Sequence, residues 1–165
     1  MNKSLLDPIL RAQHSKDDTQ SNLPAVSFPK RMDDAKRIAV LKDYQVLNHI
    51  EEPSFSRLTK LAKLFFDVQI VTITFMDEET QFLKSPIGLG SVCETPRRDA
   101  FCNYTIMSDA VLVVPDALHD PRFENNNLVT GDPYIRFYAG APISVYEARQ
   151  EIVLGAFCLI DPEPK

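Results

Sequence analysis

Cysteine, glycine and excess positive charge are all scarce in this chain. Only three cysteines occur, Cys93, Cys102 and Cys158, and no two form a CxxC pair. That count suits a reducing cytoplasm better than a disulfide framework. The 18 Lys and Arg are outnumbered by 23 Asp and Glu, for a formal charge of −5. A nucleic-acid or anionic-membrane surface would need the opposite balance, so neither partner is expected. No apolar run reaches the length of a membrane span, and no charged-then-apolar signal peptide opens the chain. The five glycines match neither a P-loop nor a dinucleotide fingerprint, which sets nucleotide hydrolysis aside. His14, His49 and His119 are far apart, and no histidine–carboxylate pair has metal spacing, so no metal is expected. No repeat appears.

What remains is an ordinary globular composition, 44% apolar and 25% charged over 165 residues, enough for one cytoplasmic domain with a real core. Residues 1–32 lack sustained periodicity and read as a flexible N-terminal segment, with a short helix around Leu5–Leu10 and a polar run from Ser15 to Asn22. Residues 33–165 read as the folded domain. Asp33 or Asp34 opens a helix with Ile38, Leu41 and Leu47 along one side, broken by Glu51-Glu52-Pro53. Its apolar arc is wide enough to bury a second side, which predicts a homodimer through this helix. Ser54 is expected to cap a second helix, whose stripe of Phe55, Leu58, Leu61, Ala62 and Phe65 reads as core.

The β-branched run from Gln69 to Met76 predicts a strand, with Gln81–Ser85 as its hairpin partner and Pro86–Gly90 as a loop. Asp99 is expected to cap a helix through Met107, and Val111–Val114 is a short strand stopped by Pro115. Asp116 and Asp120 read as caps of brief helical turns, and Arg122 and Arg136 as cations that pair with them. Between Ile135 and Tyr146, odd positions carry Ile, Phe, Ala, Ala, Ile and Val, and even positions Arg, Tyr, Gly, Pro, Ser and Tyr. This period of two predicts a central strand. Pro142 should make it bulge, bend or lose a partner. Ile152–Ile160 is apolar on both faces and belongs in the middle of a covered sheet.

Five motifs then fall into a recognisable order: Arg97-Arg98-Asp99-Ala100-Phe101-Cys102, Val114-Pro115-Asp116-Ala117, Asp120-Pro121-Arg122-Phe123, Arg136–Pro142 and Gly155–Asp161. Together they resemble the GAF domain, in the branch attached to bacterial sensor kinases and diguanylate cyclases, over roughly Ala35 to Asp161. The resemblance implies an α+β fold with a central antiparallel sheet of about six strands and helices on both faces. It also implies a sensory or regulatory module that binds a small molecule or mediates dimerisation, and passes a signal to an attached kinase or cyclase output domain. On that view the chain is not an enzyme. No cysteine matches a bilin-attachment pattern, so no cofactor is identified. The glycine turn usual before the last strand is replaced by Tyr146–Glu151, which predicts a longer hairpin loop.

A ligand would be expected against Tyr138, Ala139 and Gly140, where side-chain bulk is missing. It would lie under the helix bearing Phe101 and Cys102, with Asp116 near and Phe123 on a closing loop. Cys102 sits near Arg97 and Arg98, which would lower a thiol's pKa; its reading as a small buried hydrophobe is preferred. Cys158 reads as core and Cys93 as a loop residue. Two alternatives stand beside the sensory reading. One is a thiol-dependent redox enzyme on the same fold, like the free methionine sulfoxide reductases. The other is a ligand-free dimerisation module.

Overall fold

The computed structural model describes residues 28–48, 50 and 52–165. The expected Leu5–Leu10 helix, the polar run and His14 and His49 lie outside the described residues. One six-stranded sheet organises the rest: β1 (Ile70–Met76), β2 (Thr80–Ile87), β3 (Glu94–Pro96), β4 (Leu112–Val114), β5 (Phe137–Glu147) and β6 (Gln150–Asp161). The strand order is β3-β2-β1-β6-β5-β4, and every neighbouring pair is antiparallel. The β-branched β1 and the doubly apolar β6 lie at the centre, where both faces need apolar side chains.

Alternation along those strands splits the core in two. Ile73, Phe75, Ile152 and Leu154 pack with Val40 and Leu41 of α1 (Asp34–Asp43). Val71 and Leu159 pack with Ala62 of α2 (Pro53–Phe66), flanked by Phe137 and Ala139. The opposite face carries Met76, Tyr138, Val153, Ala156 and Cys158. It is roofed by short helical turns: η1 (Arg97–Asp99), α3 (Cys102–Thr105), η2 (Ala117–His119) and α4 (Asn127–Thr130). The fold is therefore α+β with helices on both faces of the sheet. Among the described residues no helix is long and apolar enough to cross a membrane.

Pro142 sits where expected for a residue that cannot donate to a ladder. The β4 partner reaches only to Gly140, and the β5–β6 register slips between Ile143 and Ser144. That slip lets Val153 share a face with Ala156 and Cys158 despite the odd spacing.

Several expectations need correction. The first helix stops at Asp43, short of Leu47. The second starts at Pro53 after Glu52, with no side-chain cap, so Ser54 is not the cap; proline is well suited to a first helical position. Pro86-Ile87 continues β2 rather than looping, because a bulge near Ser85 (φ 47°) brings Ile87 opposite Val71. The β5–β6 turn is tight rather than long: Glu147 pairs with Gln150, and Ala148 and Arg149 take φ of 46° and 65°. Positive φ at both central residues matches the strand twist of a two-residue hairpin, even without glycine.

The α2 stripe is the largest correction. Leu58, Leu61, Leu64 and Phe65 are 51%, 64%, 83% and 79% exposed. The buried residues of this helix are Thr59 and Ala62. Small side chains let the helix lie close to the sheet, which leaves the large ones turned outward. The unburied apolar surface is therefore on α2 and not on α1, whose Val40 and Leu41 are core.

Candidate functional site

Val71-Thr72-Ile73-Thr74 alternates β-branched hydrocarbon with hydroxyl. Its hydroxyl face looks toward α3, and Thr74 is fully buried there. Thr74 Oγ1 lies 3.3 Å from Cys102 Sγ and 3.2 Å from the Ala156 carbonyl. Across the sheet, Cys158 Sγ lies 3.3 Å from Cys102 Sγ. Tyr138 Oη is 3.5 Å from Cys102 Sγ and 2.6 Å from Thr105 Oγ1, and Gln81 Nε2 is 3.7 Å from the same sulfur. Two thiols, three hydroxyls and an amide thus meet inside an otherwise apolar core, each with a partner, as buried polar groups require.

These contacts set the protonation of the pair. The hydrogen bond from Cys158 lowers the Cys102 pKa to about 7 against the opposing effect of burial, with Thr74 and Tyr138 adding to it. Burial pushes Cys158 well up, reinforced by its hydrogen bond to Cys102. Burial also pushes the Tyr138 phenol well up, helped by the neighbouring sulfurs. Of the two thiols Cys102 is thus the one that ionises more readily, and Cys158 is then the donor between them. Arg97 has no part in it. Its guanidinium is fully buried and hydrogen-bonds Asp34 at 2.9 and 3.0 Å, Asn103 at 3.0 Å and the Asp77 carbonyl at 2.8 Å. Arg98 lies 3.8 Å from Asp99 at the surface.

Beside the cluster lies a cavity of about 100 Å³. Cys102, Cys158, Tyr138 and Phe101 form its inner wall, Ile70, Thr72, Gln81 and Leu83 its floor, and the partly exposed Leu89, Thr95, Leu128 and Pro133 its rim. That volume is well below the roughly 300–1,000 Å³ of pockets for drug-sized molecules. It suits a ligand of a few heavy atoms. A more open groove of about 340 Å³ lies between α2 and β2. Its Lys84 is turned to the adjoining loop, donating to the Asn48 and Ile50 carbonyls at 2.6 and 3.1 Å.

Of the seven residues expected around a ligand, Phe101, Cys102 and Tyr138 meet at this cavity. Phe123 stands behind them, stacked on Phe101 with ring centroids 4.1 Å apart and 1% exposed, so it is a core residue and not a lid. Gly140 gives no open space, since a Cβ there would meet Tyr138 Oη at 2.2 Å and Thr105 Oγ1 at 2.5 Å. Ala139 faces α2 on the other side of the sheet. Asp116 is a surface cap: it accepts from Leu118 N at 3.1 Å and lies 2.7 Å from His119 Nδ1. Asp120 pairs with Arg122 at 2.6 Å, whereas Arg136 donates to the carbonyls of Val129 and Ile135 instead of a carboxylate. Asp99 caps no helix; its Oδ1 accepts from Asn127 Nδ2 at 3.2 Å, and α3 begins three residues later. Thr74, Thr105 and Gln81 are the site residues missed. The alternating threonines of β1 were the available signal.

A six-stranded antiparallel sheet, with longer helices on one face and short helical turns roofing the other, defines the α+β class of this domain. The chain belongs to the GAF domain family, whose model matches residues 51–165. A cyclic di-GMP phosphodiesterase of Pseudomonas aeruginosa is 38% identical over 137 residues, 83% of this chain and 23% of that protein. The chain thus spans about a quarter of the length of that curated relative. Among solved structures, the GAF domain of an Acinetobacter phosphoenolpyruvate-protein phosphotransferase superposes with a TM-score of 0.51 at 15% identity, covering 83% of this chain and 81% of that one. The free methionine-R-sulfoxide reductase of Neisseria meningitidis, solved with its substrate, gives 0.51 at 14% identity over 86% and 83%. At such identities the likeness is one of fold. The expectation that the chain is not an enzyme is corrected by these relatives: the curated one is an enzyme by name, and the same fold carries a reductase.

Proposed function

We propose that the chain is the regulatory GAF module of a bacterial cyclic di-GMP signalling protein, and that its cavity binds a small, largely apolar ligand. The cavity carries this reading, because apolar walls with a few convergent polar groups at one corner are what a small-molecule site requires. Binding there would tighten the α3 and rim segments onto β1 and β6. The named activity of the Pseudomonas relative supports a phosphodiesterase as the output, in place of the kinase or cyclase expected from sequence. A cytoplasmic setting agrees with three unpaired cysteines.

The test replaces the matching quarter of the Pseudomonas enzyme by this chain and compares cyclic di-GMP hydrolysis with and without Leu128→Trp. Leu128 lines the cavity and not the α2–β2 groove, so a larger side chain there takes up cavity volume. A chimera whose hydrolysis rate changes when the cavity is filled supports the proposal. Equal rates in two well-folded chimeras would refute it. The exposed face of α2 supports a second part of the reading, pairing with another copy of the chain through that helix. A symmetric contact would cover Leu61 and Phe65 of both copies.

A further inference from the structure

We propose that Cys102 and Cys158 form a peroxide-reactive dithiol, in which a small peroxide entering the cavity is reduced while the two thiols close a disulfide between α3 and β6. The proposal rests on the sulfur geometry and is independent of the ligand suggested above. The sulfurs are 3.3 Å apart, against about 2.05 Å in a disulfide, so a closure of about 1.2 Å completes the bond. Cys102 and Cys158 both line the cavity of about 100 Å³, which has room for a peroxide of two oxygens. Thr74, Tyr138 and Gln81 surround Cys102 Sγ with donors, and these favour the thiolate, the form that reacts with peroxide. A pKa of about 7 for Cys102 agrees with that geometry. Cys93, the third cysteine, is exposed and lines the separate α2–β2 groove.

The chemistry balances without another reagent. Cys102 thiolate attacks one peroxide oxygen; the S–O bond forms, the O–O bond breaks, and the leaving hydroxide takes a proton to become water. Cys158 sulfur then attacks the Cys102 sulfenic acid. The S–S bond forms, the S–O bond breaks, and a second water leaves with the thiol proton. Two thiols and one hydrogen peroxide give one disulfide and two waters, with two electrons passing from sulfur to oxygen. The product ties the first residue of α3 to the centre of the sheet, across 56 residues of sequence. A transient regulatory disulfide of this kind is compatible with a reducing compartment.

The test uses the full chain carrying Cys93→Ser, reduced and then freed of reductant. Hydrogen peroxide is added with dimedone, a trap for sulfenic acids, and remaining thiols are alkylated after unfolding for peptide mass mapping. The expected result is a Cys102–Cys158 cross-linked peptide with near-complete loss of alkylation at both positions. In Cys158→Ala, Cys102 should instead carry the dimedone adduct. If that variant does not fold, the mapping of the parent chain decides alone. Full alkylation of both cysteines, at a peroxide dose that oxidises free glutathione, would overturn the proposal. Cross-links only between molecules, or sulfinic acid at Cys102 without a cross-link, would overturn it equally.

Discussion

Gly140 offers the sharpest test of how the sheet's inner face is packed. A single added methyl at this position would sit 2.2 Å from Tyr138 Oη, 2.5 Å from Thr105 Oγ1 and 2.7 Å from Tyr138 Cζ. No atom pair tolerates those distances, so something must move. Tyr138 cannot swing away freely: its ring lies 5.1 Å from that of Phe101, which in turn stacks on Phe123. The movement that remains separates the Thr105–Tyr138 hydrogen bond, 2.6 Å long and fully buried. Overpacking costs about 1–3 kcal/mol, and leaving a buried hydroxyl unsatisfied costs about 1–3 kcal/mol more. Gly140→Ala should therefore destabilise by roughly 2–6 kcal/mol, lowering the melting temperature by about 4–24 °C for a chain of this size. Calorimetry or a circular-dichroism melt reads this directly. Tyr138→Phe removes the nearest clashing atom, so the double variant should lose less than the sum of the two single changes. A Gly140→Ala protein that melts within a degree of wild type would refute the packing described, and would mean that the strand opens onto real space.

Three further outcomes follow from the same contacts. Gly155→Ala should be more damaging than Gly140→Ala, because its Cβ would lie 1.8 Å from the Thr74 carbonyl oxygen, forcing apart the central β1–β6 pair; soluble yield and urea unfolding measure this. Asp34→Asn removes the anion shared by the buried Arg37 and Arg97, at 2.9 Å from each, and should cost about 3–5 kcal/mol. Burial opposes ionisation of Asp34, but the hydrogen bonds from Arg97 and Arg37 prevail and hold its pKa below the usual carboxylate range. Its contribution is thus present above the unfolded-state pKa of about 3.9 and is lost as pH falls through the lower folded value. A urea-midpoint series down the acid limb should show that slope in wild type and lack it in Asp34→Asn. Leu61→Glu with Phe65→Glu should leave stability within about 0.5 kcal/mol while abolishing self-association in sedimentation runs; a wild-type chain that is monomeric at high micromolar concentration would remove the proposed pairing through α2.

Strong local signals carried most of the fold. Strands β1 and β6 announced themselves by composition, Ile70–Met76 through its β-branched run and Gln150–Asp161 through a middle that is apolar on both faces. What stayed hidden had its cause elsewhere in the chain. The three residues of β3, Glu94 to Pro96, are polar and carry a proline; they are strand only because Thr80–Phe82 stands beside them. The turn Ala148-Arg149 lacks glycine, yet it takes positive φ because eleven paired positions on either side of it demand a tight reversal. In α2 the periodicity marked an apolar stripe correctly but could not say what it faced. A close helix–sheet contact wants small residues, so Thr59 and Ala62 turned inward and the leucines outward.

The site was harder to read for a more general reason. Its members come from β1, β2, α3, β5 and β6, and Cys102 lies 28 residues from Thr74, 36 from Tyr138 and 56 from Cys158. Nothing in local spacing joins positions so far apart. The reading of Cys102 as a small buried hydrophobe is accurate about its burial and silent about its company. Burial among hydrocarbon alone raises a thiol's pKa and leaves it inert. Hydrogen bonds with Cys158, Thr74 and Tyr138 outweigh burial here and lower it to about 7. The sign of the shift therefore turns on which strand faces α3 and in which register. A slip of one residue in β6 would have turned Phe157 or Leu159 toward Cys102 in place of Cys158. The bulge between Ile143 and Ser144 lies in the β5–β6 ladder, beyond the Gly140–Cys158 pairing on the hairpin side. It absorbs the mismatch of the hairpin end without moving the sulfur. Deleting Leu154, the residue of β6 left unpaired there, should therefore straighten the ladder and shift the hairpin end, and should leave the Cys102 pKa where it is. A thiolate titration of that deletion, followed by its pH-dependent alkylation rate, checks this. A Cys102 pKa that rises toward the free-thiol value would show that the register around Cys158 depends on the bulge after all.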